Sequence, residues 1–584
     1  MPLQNMPATT RGLNFYDLDD NLKRFLERVA PDMLARQNVR LESLGAWVGK
    51  DLDEQAAYSD RHAPPELVSV LSTAGKPGER KNKVIFNSAY EDSQTEIYKR
   101  GVIGLAFEGP TPEPHTLSFV MGYLLSHSDI STHCPVTMTG AVAYVVNKFA
   151  TDDVKAKYLH QSTRMDGQAK TGGTWATEKH SGSDVAQTTT TARKMPDGTY
   201  RLNGQKWFAS NASSGLAVAT ARPEGAPAGG KGLGLYLVPS HIDANGTVPN
   251  FYEVTALKDK LGTRALATAE LQLNDAYAIE LVPPPHGLRV MMEALGYSRV
   301  HNAAGAAGVT HRALLEALCW MENRETFGKK LIDRPMNQKK LTRMAVDWLA
   351  ASALAFESAN SFDQAQNEQP VDKTWMRLVT AIAKYRTADM AVNSSVTAVQ
   401  MIGGNGITSD FPTERLSRDT MVLPVWEGPE QIQALELVRL ILGPEKGGNV
   451  LIDRLRDIAK NLPVTMARDQ QSLTIMVDDL KRQIDDVTSK PQTAEFVADD
   501  ILHRAGDVLT YALLCHEAAW ELTNKNCSMK QLAAQKFAEI TFNPRNTGPV
   551  DPQILQDEFN TLVRRIPRPA QTIAVGASQP KMAP

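Results

Sequence analysis

Glu427 is the carboxylate whose neighbours best suit a working base. It stands in Val425-Trp426-Glu427-Gly428-Pro429-Glu430-Gln431-Ile432-Gln433, between bulky apolar residues and a helix start. Gly428 is expected to cap that helix and Pro429 to take its first position, where a missing N–H costs nothing. A carboxylate half-buried against Val425 and Trp426 has its charged form disfavoured, so its pKa should rise and it should act as a proton acceptor. The same placement also suits a carboxylate that merely answers a helix dipole. The segment therefore needs support from elsewhere in the chain.

Four further segments carry groups able to hold a flat, anionic ligand. Thr177-Glu178-Lys179-His180-Ser181-Gly182-Ser183-Asp184-Val185 is dense in small and hydroxyl residues. Backbone N–H groups of such a loop, with its Thr and Ser hydroxyls, can bond a heterocycle or a pyrophosphate; the loop also reads as a surface turn. Gly204-Gln205-Lys206-Trp207-Phe208-Ala209-Ser210-Asn211 sets an aromatic, a small residue and a hydroxyl in succession. That order can lay Phe208 on a flat ring and point Ser210 at its edge, or simply build a strand of a β core. Arg324-Glu325-Thr326-Phe327-Gly328-Lys329-Lys330-Leu331 ends a helix with an Arg suited to a phosphate. Gln400-Met401-Ile402-Gly403-Gly404-Asn405-Gly406 ends another, and its glycines would let a large ligand approach the backbone.

Other motifs fail. His516-Glu517-Ala518-Ala519-Trp520 lacks the second His of a zinc-protease helix. Gly403-Gly404-Asn405-Gly406 lacks the spacing and the preceding strand of a dinucleotide fingerprint. There is no P-loop and no Gly-x-Ser-x-Gly elbow. His115, His127 and His133 show no ligand spacing, so they read as surface or satisfied core, and no metal is expected.

The elements that must position these groups fall into four blocks. Residues 1–170 read as a mostly helical domain, punctuated by Pro64-Pro65 and Gly75-Lys76-Pro77-Gly78. Residues 171–285 read as a β domain, with Asp197-Gly198 and Asn203-Gly204 as turns and β-rich runs at Leu233–Val238 and Glu270–Leu273. Residues 286–447 hold four long helical patterns, expected to form an antiparallel bundle closed by Gly447-Gly448. Residues 448–584 read as a further helical extension, with a poorly ordered tail from about 567. The fold class is α+β.

A chain of 584 residues is too long for one core. Its net charge of −3 implies no general attraction to nucleic acid or anionic membrane. Cys134, Cys319, Cys515 and Cys527 form no C-x-x-C pair, which fits a reducing compartment. No signal peptide, tail address or apolar run of ~20 residues is visible, so a cytoplasmic location is expected.

Taken in order, the TE…GSD loop, the KWF-x-S strand, the R-x-TFG and QMIGGNG helix ends and the WEG-x-x-Q-IQ segment resemble the acyl-CoA dehydrogenases over about residues 115–443, most specifically at Gln400–Gln433. His133-Cys134-Pro135-Val136-Thr137-Met138-Thr139, Pro64-Pro65-Glu66-Leu67 and the extension after 448 resemble the AidB branch of adaptive-response proteins. The resemblance implies an N-terminal helical domain, a central β domain and a C-terminal four-helix bundle. It implies FAD between the β domain and the bundle. By position, Thr177, Ser183, Phe208, Ala209 and Ser210 would bind the flavin, Phe208 taking the place of the aromatic, commonly Trp, that covers it. Arg324, Thr326, Gln400, Gly403 and Gly404 match residues that hold a neighbouring subunit's FAD, and Pro429 and Gln431 flank the flavin. Glu427 aligns with the catalytic base. Ser183, Gly428 and Arg299, in Gly296-Tyr297-Ser298-Arg299, match substrate positions, Arg299 being the one that helps bind coenzyme A. Two departures stand out: Gly296 where many members have Asp, and Pro429 in place of Thr or Ser.

The implied chemistry is α,β-dehydrogenation of an acyl-CoA thioester. A desolvated carboxylate takes the α-proton while hydrogen bonds polarise the thioester carbonyl, and the β-hydride passes to flavin N5. The partners implied are an electron acceptor such as an electron-transfer flavoprotein and three further copies of the chain. The alternative, from the AidB branch, is a flavoprotein whose surface binds DNA and serves the response to alkylation damage. That would need a dense basic patch. Arg564, Arg565 and Arg568 are the candidates, but Asp551, Asp557 and Glu558 lie close by.

Overall fold

A computed structural model of the chain describes residues 3, 5–71, 80–243, 246–543 and 551–567. The chain divides into two compact units, Lys50–Gly305 and a second made of the chain up to Gly49 with everything from Ala306 on. Gly75–Gly78, Arg568 and the tail from 568 lie outside the described residues. No helix among the described residues is long and apolar enough to cross a membrane.

The Lys50–Gly305 unit opens on helices and a hairpin, β1 (Glu66–Leu71) against β2 (Arg80–Ile85). A hairpin is not expected from the sequence within this mostly helical stretch. Lys81, Asn82 and Lys83 show no apolar alternation, so the strand is invisible to pattern. What fixes it is the β core: Leu67, Val84 and Phe86 pack on that core, and Asn82 Nδ2 donates to Val254 O at 2.9 Å. Helices His115–Leu125 and Ile130–Phe149 follow, buried over nearly their whole surface. Asp129 caps the second, accepting from Ser131 N at 2.8 Å and Thr132 N at 3.2 Å.

Between these helices and the start of Gly287–Asn323 runs a buried polar chain. Tyr297 OH donates to Ser118 Oγ at 3.5 Å, and Ser118 meets His301 Nε2 at 3.5 Å. His301 Nδ1 meets His133 Nε2 at 3.1 Å, and His133 Nδ1 meets Ser126 Oγ at 2.8 Å. Burial pushes the His133 imidazole down to about 3 and His301 well below its ordinary value, so both are neutral and can pass a hydrogen bond along. A side chain at Gly122 would strike His133 Nε2 and His301 Nδ1, its Cβ lying 2.5 and 2.7 Å from them. His133 is thus a satisfied core histidine.

The β domain is a closed ring with two flanking strands. Its strands are β3 (Gly172–Trp175), β4 (Thr191–Lys194), β5 (Tyr200–Ser210), β6 (Leu216–Pro223), β7 (Gly234–Pro239), β8 (Tyr252–Leu257) and β9 (Thr268–Val282). The order β6-β4-β5-β9-β7 returns to β6, with β3 parallel to β6 and β8 antiparallel to β9. Closure leaves few free edges. Trp175, Leu202, Tyr236, Leu271 and a set of alanines fill the interior. Asp197-Gly198 turns between β4 and β5 as the sequence suggests. Asn203-Gly204 does not turn: it lies inside β5 at a bulge opposite β9. Gly204 is there because a Cβ would come within 2.8 Å of the Thr190 backbone, and Asn203 Nδ2 is taken by Asp275 Oδ1 at 2.8 Å.

The second unit contains the four long helices read from the sequence: the distal part of Gly287–Asn323, then Pro335–Gln364, Pro370–Ile402 and Glu430–Leu442. Gly447 and Gly448 open the next helix, Gly447–Lys460, rather than only closing the bundle. Ala467–Ser489, Ala494–Lys525, Met529–Phe542 and Pro552–Leu562 complete the extension. Ala494–Lys525 packs directly on Pro335–Gln364, Pro370–Ile402 and Glu430–Leu442. Its His503 hydrogen-bonds Glu430 and stacks on Tyr385, ring centroids 5.0 Å apart, while Asp507 pairs with Arg386 at 2.8 Å.

Of the arginines offered for DNA, Arg564 and Arg565 are turned inward. Arg564 forms a two-pronged pair with Glu322, Nη2 donating to Oε2 at 2.9 Å, and donates to Leu3 O at 3.3 Å. Arg565 is 6% exposed, its guanidinium 5.1 Å from the Trp348 ring centroid. Elsewhere in the extension Arg456, Arg482 and Arg504 are paired to Asp478 and Asp479 at 2.7–2.9 Å. Sequence position near the tail hid this burial. Arg564→Ala with Arg565→Ala is therefore expected to destabilise the fold by on the order of 3 kcal/mol, because it strands Glu322. Urea denaturation should show the lowered midpoint, and a DNA gel shift should show no change in salt slope.

Candidate active site

In the Lys50–Gly305 unit the candidate residues gather on β5 and the loop before β4. Thr177 O accepts from Trp207 N at 3.0 Å, which stitches the loop to β5. Glu178 and Ser181 close a tight turn, Glu178 N donating to Ser181 O at 2.9 Å and Ser181 N to Glu178 O at 3.1 Å. Ser183 stands exposed beyond it beside Gly182, with open space where Gly182 lacks a Cβ.

Beneath the loop lies a buried ion pair that the sequence reading missed. Lys206 Nζ is 2.9 Å from Glu178 Oε1, the two residues being 0% and 3% exposed. The carboxylate also accepts from Thr189 N and Oγ1, both at 2.8 Å, and from Thr190 N at 3.1 Å and Oγ1 at 2.6 Å. Lys206 Nζ donates onward to Thr220 O at 2.9 Å. Burial alone would raise the Glu178 carboxyl; Lys206 and the two threonines outweigh it and hold it down at about 2. The pair pins the loop to β5 and β6. Spacing alone does not signal it, because the bulge between Leu202 and Gly204 breaks the alternation that would relate Lys206 to Leu202.

A second bulge in β5, between Lys206 and Ala209, breaks the alternation. It buries Ala209 and leaves the Phe208 ring 57% exposed. Trp207 beside it is covered by Lys258 Nζ, 3.3 Å from its ring centroid. Ser210 Oγ lies 3.1 Å from Thr268 Oγ1. Asn211, at φ +53°, ends the strand and is fixed by Nδ2 bonds of 2.8 Å to Thr171 Oγ1 and Gly172 O. Arg299, in the same unit, is buried within its helix at 7% exposure.

In the other unit, Glu427 sits in a turn with Gly428. Their φ values are +59° and +95°. A left-handed conformation is uncommon and costly for a residue with a Cβ, and such residues collect at functional sites. Pro429, not Gly428, is the helix N-cap, and the helix begins at Glu430. Gly428 cannot serve as cap because its positive φ is needed to turn the chain. Glu427 is half-buried as expected, although Val425 is 65% exposed and shields little. Gln433, 0% exposed, donates from Nε2 to Gly428 O at 2.9 Å and Glu427 O at 3.3 Å. Gln431 is exposed on the first turn.

Arg324 is exposed at its helix end, with its guanidinium 5.9 Å from the Trp320 centroid. Trp320 meets Phe411 edge-on at 5.4 Å, tying this end to the turn that follows Gly403. Thr326 lies in a two-residue hairpin around Phe327, which is 98% exposed. Gln400, Gly403 and Gly404 are exposed, and a Cβ on either glycine would meet nothing within 4 Å. No cluster of metal-ligating groups occurs among the described residues.

Residues 173–276 match the middle domain of acyl-CoA dehydrogenases and residues 285–442 their C-terminal domain. The chain belongs to the acyl-CoA dehydrogenase family. Residues 5–166 match the N-terminal domain of the adaptive response protein AidB. The chain is 29% identical to acyl-CoA dehydrogenase family member 11 of Caenorhabditis elegans, over 78% of this chain and 75% of that protein. It is 27% identical to the putative acyl-CoA dehydrogenase AidB of Escherichia coli, over 75% of this chain and 80% of that protein. A C. elegans ACDH-11 structure in complex with C11-CoA shares the fold, with TM-score 0.82 and 24% identity over 92% of each chain. The family consists of FAD-dependent oxidoreductases, and the chain is a flavoenzyme of that class.

The residues present fit FAD. A large aromatic ring more than half exposed, as at Phe208, is the kind of surface a ligand covers. Gly182, Gly403 and Gly404 are open on the side a Cβ would fill. Thr177, Ser183 and Ser210 carry hydroxyls in the Lys50–Gly305 unit, and Arg324 carries an exposed cation in the other.

Proposed function

We propose that the protein dehydrogenates an acyl-CoA thioester across its α,β-bond, with Glu427 as the base. The observation that carries this reading is the Glu427 turn: one half-buried carboxylate, held in a left-handed conformation by a buried side chain. FAD, when bound, supplies the hydride acceptor. Glu427 takes the α-proton on its carboxylate, and its partial burial favours that transfer. Toward FAD we assign Thr177, Ser183, Phe208 and Ser210 in the Lys50–Gly305 unit, which would hold its ring system, and, separately, Pro429 and Gln431 in the other unit. Ser183, Gly428 and Arg299 serve the thioester and its coenzyme A. An electron-transfer flavoprotein is the acceptor class we assign, and with four free, buried cysteines we place the enzyme in the cytoplasm.

The test is an anaerobic titration of the yellow protein with acyl-CoAs of increasing chain length, undecanoyl-CoA among them. At least one should bleach the flavin absorbance; a panel with no bleaching overturns the reading. Among the described residues, Arg564 and Arg565 give no support to DNA as the working ligand.

We further propose a homotetramer in which Arg324, Thr326, Gln400, Gly403 and Gly404 complete a neighbour's FAD site. Phe327 and Ile407, 98% and 70% exposed, are apolar groups that a partner copy would cover. Light scattering should give a mass near four times 64.0 kDa; a flavin-loaded monomer contradicts the assembly.

A further inference from the structure

The turn that carries Glu427 needs its backbone carbonyls satisfied, because it follows Pro424 without a regular ladder. Two side chains from different helices do this. Lys384, on Pro370–Ile402, donates from Nζ to Pro424 O at 3.0 Å. Gln433, on Glu430–Leu442, donates to Glu427 O and Gly428 O. Both are 0% exposed. Gly428 allows the close approach, since its missing Cβ would lie 2.9 Å from Gln433 Nε2. The turn is therefore held at Pro424 before the carboxylate and at Gly428 after it.

Burying an ammonium costs several kcal/mol, and an apolar residue of similar volume in its place is often neutral or stabilising. Lys384 and Gln433 are thus poor choices if the only task is to fill a core. Their polar ends meet a turn in which Glu427, a residue with a Cβ, adopts a strained left-handed conformation next to a helix start. Such strain persists only where the surroundings over-determine it.

We propose that Lys384 and Gln433 are positioning residues for the reaction: they hold the turn from both sides so that the Glu427 carboxylate is presented in one orientation. The proposal rests on the reading of Glu427 as the base. Displacing a catalytic group by about 1 Å can cost 10²-fold in rate.

The experiment compares Lys384→Met, Lys384→Arg and Gln433→Leu with the wild type and with Glu427→Gln, all purified with FAD. Flavin reduction is followed by anaerobic stopped flow with the acyl-CoA that bleaches the wild type, and acyl-CoA affinity is measured separately. Lys384→Met and Gln433→Leu should slow reduction by about 10²-fold while affinity changes less than about threefold. The acid limb of their pH–rate profiles should move, because the carboxylate sits in altered surroundings. Lys384→Arg keeps a donor and should recover at least a tenth of the wild-type rate. Wild-type rates in Lys384→Met and Gln433→Leu overturn the proposal, as does a loss in Lys384→Arg equal to that in Lys384→Met. Loss in Glu427→Gln alone leaves the base reading standing and removes this one; full activity in Glu427→Gln removes both. If one variant fails to load FAD, the variant at the other position makes the same comparison.

Discussion

Glu427→Gln should bind FAD and acyl-CoA normally yet fail to reduce the flavin. Gln is nearly isosteric, and the left-handed turn is held through the backbone carbonyls of Glu427 and Gly428, which the substitution leaves in place. What goes is the proton acceptor, and general-base catalysis is typically worth about 10²–10⁴-fold. Stopped-flow bleaching should therefore slow by at least about 10²-fold, while difference spectra still report ligand binding. A mutant that bleaches at the wild-type rate would make Glu427 a helix-start carboxylate and nothing more.

Lys206→Met should be the most damaging single change in the β domain. It leaves Glu178 buried among threonine donors without its cation, and breaking a buried pair by removing one partner costs about 3–5 kcal/mol. The loop from Thr177 to Asp184 should loosen with it, so FAD should be lost more readily. Adding Glu178→Gln to Lys206→Met should recover part of the stability, since no uncompensated charge then remains, and a double-mutant cycle by urea denaturation measures that coupling. The pH dependence follows from the lowered carboxyl. Its contribution is fully present above the unfolded value of about 4.5 and fades as pH falls from there toward about 2. Lys206→Met should therefore flatten the wild type's loss of stability in that acid window. Equal acid sensitivity in wild type and mutant would sink the assignment.

Much of this architecture is legible in the residues. Four long helices announce themselves because their apolar positions recur over many turns, and the Trp426-Glu427-Gly428 segment stands out because a carboxylate among apolar groups is rare. The hairpin of Glu66–Leu71 and Arg80–Ile85 is not legible, since the side chain that Arg80–Ile85 turns to the β core beside Val84 is the polar Asn82, and only Val84 is buried. Asn203-Gly204 misleads because the same dipeptide serves a bulge as well as a turn. Lys206 and Arg565 are missed for one reason: charged residues are read as surface, and burial shows only once Glu178 or Trp348 is seen opposite. The conformation of Glu427 is hidden because Gly428 reads as a helix cap and the residue types do not mark a left-handed Glu before it.

The contact of helix Ala494–Lys525 with the bundle bears on how the protein comes apart. His503, Asp507 and their partners Glu430, Tyr385 and Arg386 join the extension to the helix that starts three residues after Glu427 and to the helix that carries Lys384. Segments knitted this closely tend to open as one cooperative unit. Removing the chain from residue 448 onward would strip an apolar face from three bundle helices at once, so the shorter protein should aggregate rather than persist as a minimal enzyme. In hydrogen exchange, amides of the extension helix and of Glu430–Leu442 should share one opening free energy, and FAD release on heating should coincide with loss of helix in both.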